Sequence, residues 1–199
     1  MPITSNFHDQ LYEYYDWTEL GQLVFELCQQ ILTTEKKFDR LIALSKGGLT
    51  FARSLVDYLD IPDISIIKIE FYTGIGDTTR TPIITQSLPV NIQNEKILIF
   101  DDLVDSGETL ELAKKYISQH GAKKVETAIL FRKEWTKIET NYHVKESKAW
   151  IIFPNEVRST TKLLMKIWQK KGDNDEQIKL KLQQIGFPAD ALAMFGPGK

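Results

Sequence analysis

Along residues 17–32, WTELGQLVFELCQQIL, apolar side chains return at helical intervals through Leu20, Leu23, Val24, Leu27 and Ile31, which predicts an amphipathic helix with Thr18 as its N-cap. The pattern then changes to a short unbroken apolar run. LIAL at 41–44 predicts a buried strand, and SKGG after it a turn. Residues 49–59 return to helical spacing with Leu49, Ala52, Leu55, Val56 and Leu59 inward, and ISIIKIEFY at 64–72 has the length and β-branching of a central strand. TGIGDTTRTP at 73–82 is polar, Gly-rich and without period, which predicts a flexible loop of a kind that often serves as a lid. ILIF at 97–100, VETAILF at 125–131 and KAWIIF at 148–153 read as three further strands, with a helix over about 108–119 that QHGA closes.

Strand–helix alternation with short connections predicts a parallel α/β sheet covered on both faces, occupying residues 1–156. Residues 156–171 and 175–195 read as helices separated by GDN at 172–174, so 157–199 is expected to form a C-terminal helical extension.

Composition narrows the function classes. A length of 199 residues suits one domain with a full core, and the net charge of −2 argues against broad nucleic-acid binding, which needs a surplus of Lys and Arg. Small anions remain open, because a few backbone N–H groups and one cation can hold a phosphate. The single cysteine, Cys28, lies in the apolar run LVFELC and reads as a buried, inert thiol. No apolar stretch is long enough to span a bilayer, and MPITSNFHDQ lacks a signal-peptide core, so the cytoplasm is expected and no membrane partner. His8, His120 and His143 show no ligand spacing.

The chemistry concentrates at 97–109, ILIFDDLVDSGET. Asp101 and Asp102 sit at the carboxyl end of a buried strand, where open α/β sheets place their ligands. Asp105, Ser106, Gly107, Glu108 and Thr109 then turn into a helix whose first N–H groups, with two hydroxyls, suit a phosphate. Bare acids would repel that phosphate; a ribose with two hydroxyls and a Mg²⁺ would satisfy them. A Walker-type GxxxxGK[ST] loop is absent.

ILIFDDLVDSGET resembles the signature of type I phosphoribosyltransferases, in particular the bacterial xanthine-guanine and archaeal hypoxanthine-guanine enzymes, and the likeness runs over roughly residues 40–156. The resemblance implies a Rossmann-like parallel-sheet core and transfer of 5-phosphoribose from 5-phosphoribosyl 1-pyrophosphate (PRPP) to N9 of a purine. It implies that Asp101 and Asp102 serve the ribose hydroxyls and Mg²⁺, and that Asp105–Thr109 hold the 5′-phosphate. Asp105 matches the acid facing N7 of a 6-oxopurine, where conventional adenine enzymes usually carry Ala. LIALSKGGL at 41–49 is similar to the family's pyrophosphate loop, which assigns Ser45, Lys46, Gly47 and Gly48 to the diphosphate and implies a cis Ser45–Lys46 peptide.

For the base, the resemblance points to Lys133 for the 6-oxo group, Trp150 for stacking and Ile151 for backbone contacts, with Arg132 a competitor for the role of Lys133. Tyr72 and Arg80 are candidates to touch the pyrophosphate as the 71–82 loop closes. Two departures bear on the site: Pro154-Asn155-Glu156 replaces the usual PWD or PWE, and Glu108 puts an acid in the phosphate loop, where its side chain is expected to point away. A homo-oligomer is expected by family analogy alone. An adenine phosphoribosyltransferase on the same frame, and a regulator that only senses PRPP, are the alternatives. The second usually needs a nucleic-acid-binding element, for which the first 40 residues are short.

Overall fold

The computed structural model describes residues 2–73 and 80–198. Ile3–Phe7 (β1) and Gln10–Tyr14 (β2) pair as a hairpin through His8 and Asp9, both at positive φ (51° and 63°), as a two-residue hairpin turn requires. Neither strand carries an unbroken apolar run, so periodicity does not reveal them. Trp17–Leu32 (α1) follows the helix expected at 17–32, but Asp16 rather than Thr18 caps it. The Glu19 amide donates to Asp16 Oδ1 at 2.8 Å and the Asp16 amide to Glu19 Oε2 at 3.0 Å, a reciprocal capping box.

Arg40–Ser45 (β3), Leu49–Tyr58 (α2) and Asp63–Thr73 (β4) follow, then Arg80–Gln86 (β5), Lys96–Val104 (β6), Glu108–Gln119 (α3), Lys124–Lys133 (β7) and Tyr142–Ser147 (β8). The six strands order as β5-β4-β3-β6-β7-β8, all parallel neighbours except the antiparallel β4–β5 pair. Two expectations change here. Residues 73 and 80–82, read as loop, lie in the β4–β5 pair, and the last strand of this sheet is β8 rather than 148–153, although its sequence YHVKES has no apolar run. In α2, Ala52 and Leu55 are buried as expected, Phe51 joins them, and Leu49 is exposed.

Sheet order explains where a ligand can sit. The chain leaves β3 through α2 to β4 on one side, then returns to the other side of β3 as β6. The carboxyl ends of β3 and β6 therefore flank a topological switch point, the crevice where open α/β sheets bind ligands. Leu41, Ile42, Ala43, Ile97, Leu98, Ile99 and Phe100 are fully buried beneath it. At the opposite end Arg40, itself buried, donates to Glu95 at 2.8 Å, Asp63 at 3.2 Å and Ser65 at 3.3 Å, tying the entries of three strands together.

Trp150–Ile152 (β9) pairs in parallel with β2 in a separate three-stranded sheet, so the segment read as the last strand of the main sheet leaves it. A short 3-10 turn at Pro154–Glu156 leads into Val157–Lys170 (α4), Asp175–Ile185 (α5) and Ala189–Phe195 (α6). The single helix expected over 175–195 is interrupted: Gly186, at φ 104°, ends α5, and Pro188 caps α6. Residues 22–147 form one compact unit, and residues 1–21 with 148–199 another. The core of the second unit is Tyr12, Tyr14 and Ile152 packed with Leu164, Trp168 and Leu182. Cys28 is buried, and burial pushes its thiol up to about 12, which suits an inert side chain.

Candidate active site

Two short turns converge at the carboxyl ends of β3 and β6. In the first, the Ser45–Lys46 peptide is cis, the arrangement the family resemblance implied. Gly48 N then donates to Leu44 O at 2.9 Å, and Leu49 N to Lys46 O at 3.1 Å, so the turn feeds directly into α2. The glycines are there because the second turn lies against them. A Cβ on Gly47 would collide with the Asp102 carboxyl, and one on Gly48 would fall 2.6 Å from Phe100 O and 2.9 Å from Leu44 O. Both of the latter are backbone atoms of central strands and cannot yield. Gly48→Ala is therefore expected to cost roughly 1–3 kcal/mol of stability. Denaturant unfolding checks this, and a wild-type midpoint would refute the close packing.

The second turn begins inside β6, since Asp101 and Asp102 belong to the strand's last residues. Asp102 is buried against Gly47, while Asp101 lines a cavity of about 360 Å³, and the two carboxyls stay within hydrogen-bonding reach of each other. Burial first, then the neighbouring Asp102, raises the Asp101 carboxyl well above the usual carboxylate range. Backbone amides of Asp102 (3.0 Å) and Gly48 donate to it and offset part of that rise. Such a carboxyl favours any partner that brings positive charge or hydroxyl donors.

The same cavity is lined by Asp105, Ser106, Gly107, Glu108 and Thr109, the residues read from sequence as the phosphate loop. Gly107 is the N-cap of α3 at φ 96°, a left-handed conformation that favours glycine, and a Cβ there would meet Ile138 Cγ1 at 2.5 Å. The first-turn amides of α3 have no partner within the helix and lie at its positive end. Glu108 is exposed and is among the residues that line the cavity. Phe71 and Arg80 close the other side, with the guanidinium 5.3 Å from the Phe71 ring centroid. Tyr72, expected there, is more than half exposed, and it is Phe71 that lines the cavity, one residue earlier on the alternating strand. Most of the expected lid, residues 74–79, lies outside the described residues.

The connection after β7 supplies residues that sequence reasoning missed. Trp135 Nε1 donates to Asp105 Oδ1 at 2.6 Å, and Thr136 Oγ1 donates to the carbonyls of Val104, at 3.2 Å, and of Asp105. Arg132 is committed elsewhere: its guanidinium donates to Glu146 at 2.5 Å and to the carbonyls of Thr136 (2.9 Å) and Ile138 (3.3 Å). Lys133, on the opposite face of β7, is buried with its Nζ 5.5 Å from the Trp135 ring centroid. Trp150 and Ile151 belong to the other unit. There Trp150 is half-buried with its ring centroid 6.4 Å from that of Tyr12, and Ile151 is buried on β9.

Among the described residues no cluster of three or more His, Cys, Asp or Glu could hold a metal by itself. The adjacent pair Asp101 and Asp102 suits Mg²⁺ all the same, since that ion commonly takes one or two carboxylates and completes its shell with water and substrate phosphate.

A family model described as a phosphoribosyl transferase domain matches residues 10–161. A hypoxanthine-guanine phosphoribosyltransferase of Dictyostelium discoideum is 28% identical over 128 residues, 61% of this chain and 71% of that protein. A xanthine-guanine phosphoribosyltransferase of Gluconobacter oxydans is 26% identical over 140 residues, 69% of this chain and 80% of that protein. Among solved structures, a purine phosphoribosyltransferase from Pyrococcus horikoshii superposes with a TM-score of 0.66 at 31% identity, covering 72% of this chain and 93% of its own.

Proposed function

The chain belongs to the phosphoribosyltransferase family, and from that premise we propose that it transfers 5-phosphoribose from PRPP to N9 of a 6-oxopurine in purine salvage, releasing pyrophosphate. The observation that carries the reading is one cavity at the switch point, lined by an acid from the end of β6 and by the whole turn from Asp105 to Thr109. The named relatives, which act on hypoxanthine, guanine or xanthine, support the choice of base class.

In this reading the N9–C1′ bond forms as the C1′–O bond to pyrophosphate breaks, through a transition state with positive charge on the ribose. The α3 N-terminus with Ser106 and Thr109 holds the 5′-phosphate, and the amides of Gly47 and Gly48 with Lys46 hold the diphosphate. Asp101 and Asp102 serve the ribose hydroxyls and would hold Mg²⁺, which when bound neutralises charge on the leaving group. Asp105 takes up the proton that the imidazole ring of the base loses. Lys133 faces the 6-oxo group; the assignment of Trp150 and Ile151 to the purine rests on the family resemblance. Assembly as a homo-oligomer goes with this reading on the same ground, and the cytoplasm stays the expected compartment. No helix among the described residues is long and apolar enough to cross a membrane.

The test is pyrophosphate release from PRPP with hypoxanthine, guanine and xanthine, before chelation, after it, and after Mg²⁺ is returned. Release is expected only with the divalent cation present. Turnover without it would refute the role given to the paired acids, and no release with any of the three bases would refute the proposal.

A further inference from the structure

We propose that Trp135 is a positioning residue for Asp105, fixing one oxygen of the carboxylate so that the other is presented to the base. The inference rests on the role given to Asp105 above. Asp105 is exposed in the turn between β6 and α3, so its carboxylate could otherwise sample several rotamers. The Trp135 indole N–H, 2.6 Å from Oδ1, removes that freedom. An indole is a donor only, so it can hold a carboxylate oxygen but cannot compete for the proton that the other oxygen is to receive.

Three observations separate this role from simple packing. Trp135 is 53% exposed, so most of the ring's apolar surface is not in the core, and its one polar atom goes to a carboxylate that lines the cavity. The ring has Lys133 Nζ near its face, and the next residue, Thr136, ties the segment to the turn, its hydroxyl donating to the carbonyls of Val104 and Asp105. Arg132 then anchors the carbonyls of Thr136 and Ile138, and Ile138 packs beneath Gly107. Residues 135–138 therefore grip the Asp105–Gly107 turn from side chain, backbone and below. A rigid support of this kind is what a proton acceptor needs to stay within reach of a reacting atom.

The experiment is a double-mutant cycle of Trp135→Phe and Asp105→Asn, with kcat, both KM values and thermal midpoint measured for each protein. Trp135→Phe keeps the ring and removes the donor. It is expected to lower kcat roughly tenfold with donor KM and midpoint unchanged. The double variant is expected to match Asp105→Asn alone, because the indole acts only through the carboxylate. Wild-type kcat in Trp135→Phe, a loss confined to donor KM, or a double variant showing the product of the two single losses would overturn the inference and leave the role of Asp105 standing. Wild-type kcat in Asp105→Asn would overturn both.

Discussion

Asp105→Asn is expected to lower kcat by about 10²–10⁴-fold while leaving the donor KM near that of the parent protein. Asn keeps the shape of the side chain and an oxygen that can still accept the Trp135 N–H, so the turn before α3 should hold its geometry. What it loses is the capacity to take a proton. In the proposed reading the donor is gripped by other groups, the Ser106 and Thr109 hydroxyls, the α3 amides and the Gly47–Gly48 turn, so binding should survive. Steady-state kinetics with PRPP and hypoxanthine varied in turn separate the two effects. A raised donor KM with kcat intact would move Asp105 from proton transfer to phosphate binding.

Adenine is expected to be the poorer substrate, with kcat/KM lower than that of hypoxanthine by about 10⁴-fold. The Lys133 ammonium carries three donors and no acceptor. Facing a 6-oxo group it makes a charge-assisted hydrogen bond, whereas the 6-amino group of adenine opposes donor to donor. Lys133 is buried, so a donor turned toward the 6-amino group of adenine meets no acceptor on the base and is screened from water. Arg132 cannot take its place without surrendering its bonds to Glu146, Thr136 and Ile138. Competition between the two bases at limiting enzyme measures the ratio, and Lys133→Met should narrow it by depressing hypoxanthine alone. A kcat/KM for adenine equal to or above that for hypoxanthine would contradict the assignment of Lys133 and leave phosphoribosyl transfer intact.

The turn that lines the cavity is legible in sequence because it is built from neighbours along the chain. ILIF must be buried, the two acids after it must therefore sit at a strand end, and Gly107 opens α3 within six residues of Asp101. The rest depends on residues far apart. Trp135 meets an acid 30 residues away, and nothing in KEWT announces it. Strand β8 is unreadable for a related reason: its place at the sheet edge is secured by Tyr142 donating to the buried Glu126 at 2.8 Å, with Lys36 bonded to the same carboxylate at 3.1 Å. The apolar run at 148–153 reads correctly as a strand but not as to its partner, since the competing strand β2 is a short, mixed segment without a period-2 signature of its own. The break between α5 and α6 was available in Gly186-Phe187-Pro188 and yields to helix-stop rules once those outweigh the apolar spacing across it.

Transfer of the phosphoribosyl group to a purine can be followed with PRPP labelled with ¹³C at C1′ in the presence of hypoxanthine and Mg²⁺. The C1′ resonance is expected to move to that of the N9-linked nucleoside monophosphate, in an amount equal to the pyrophosphate released. An unchanged donor resonance despite PRPP binding, as a sensor would give, or a resonance that moves to free ribose 5-phosphate, would contradict it.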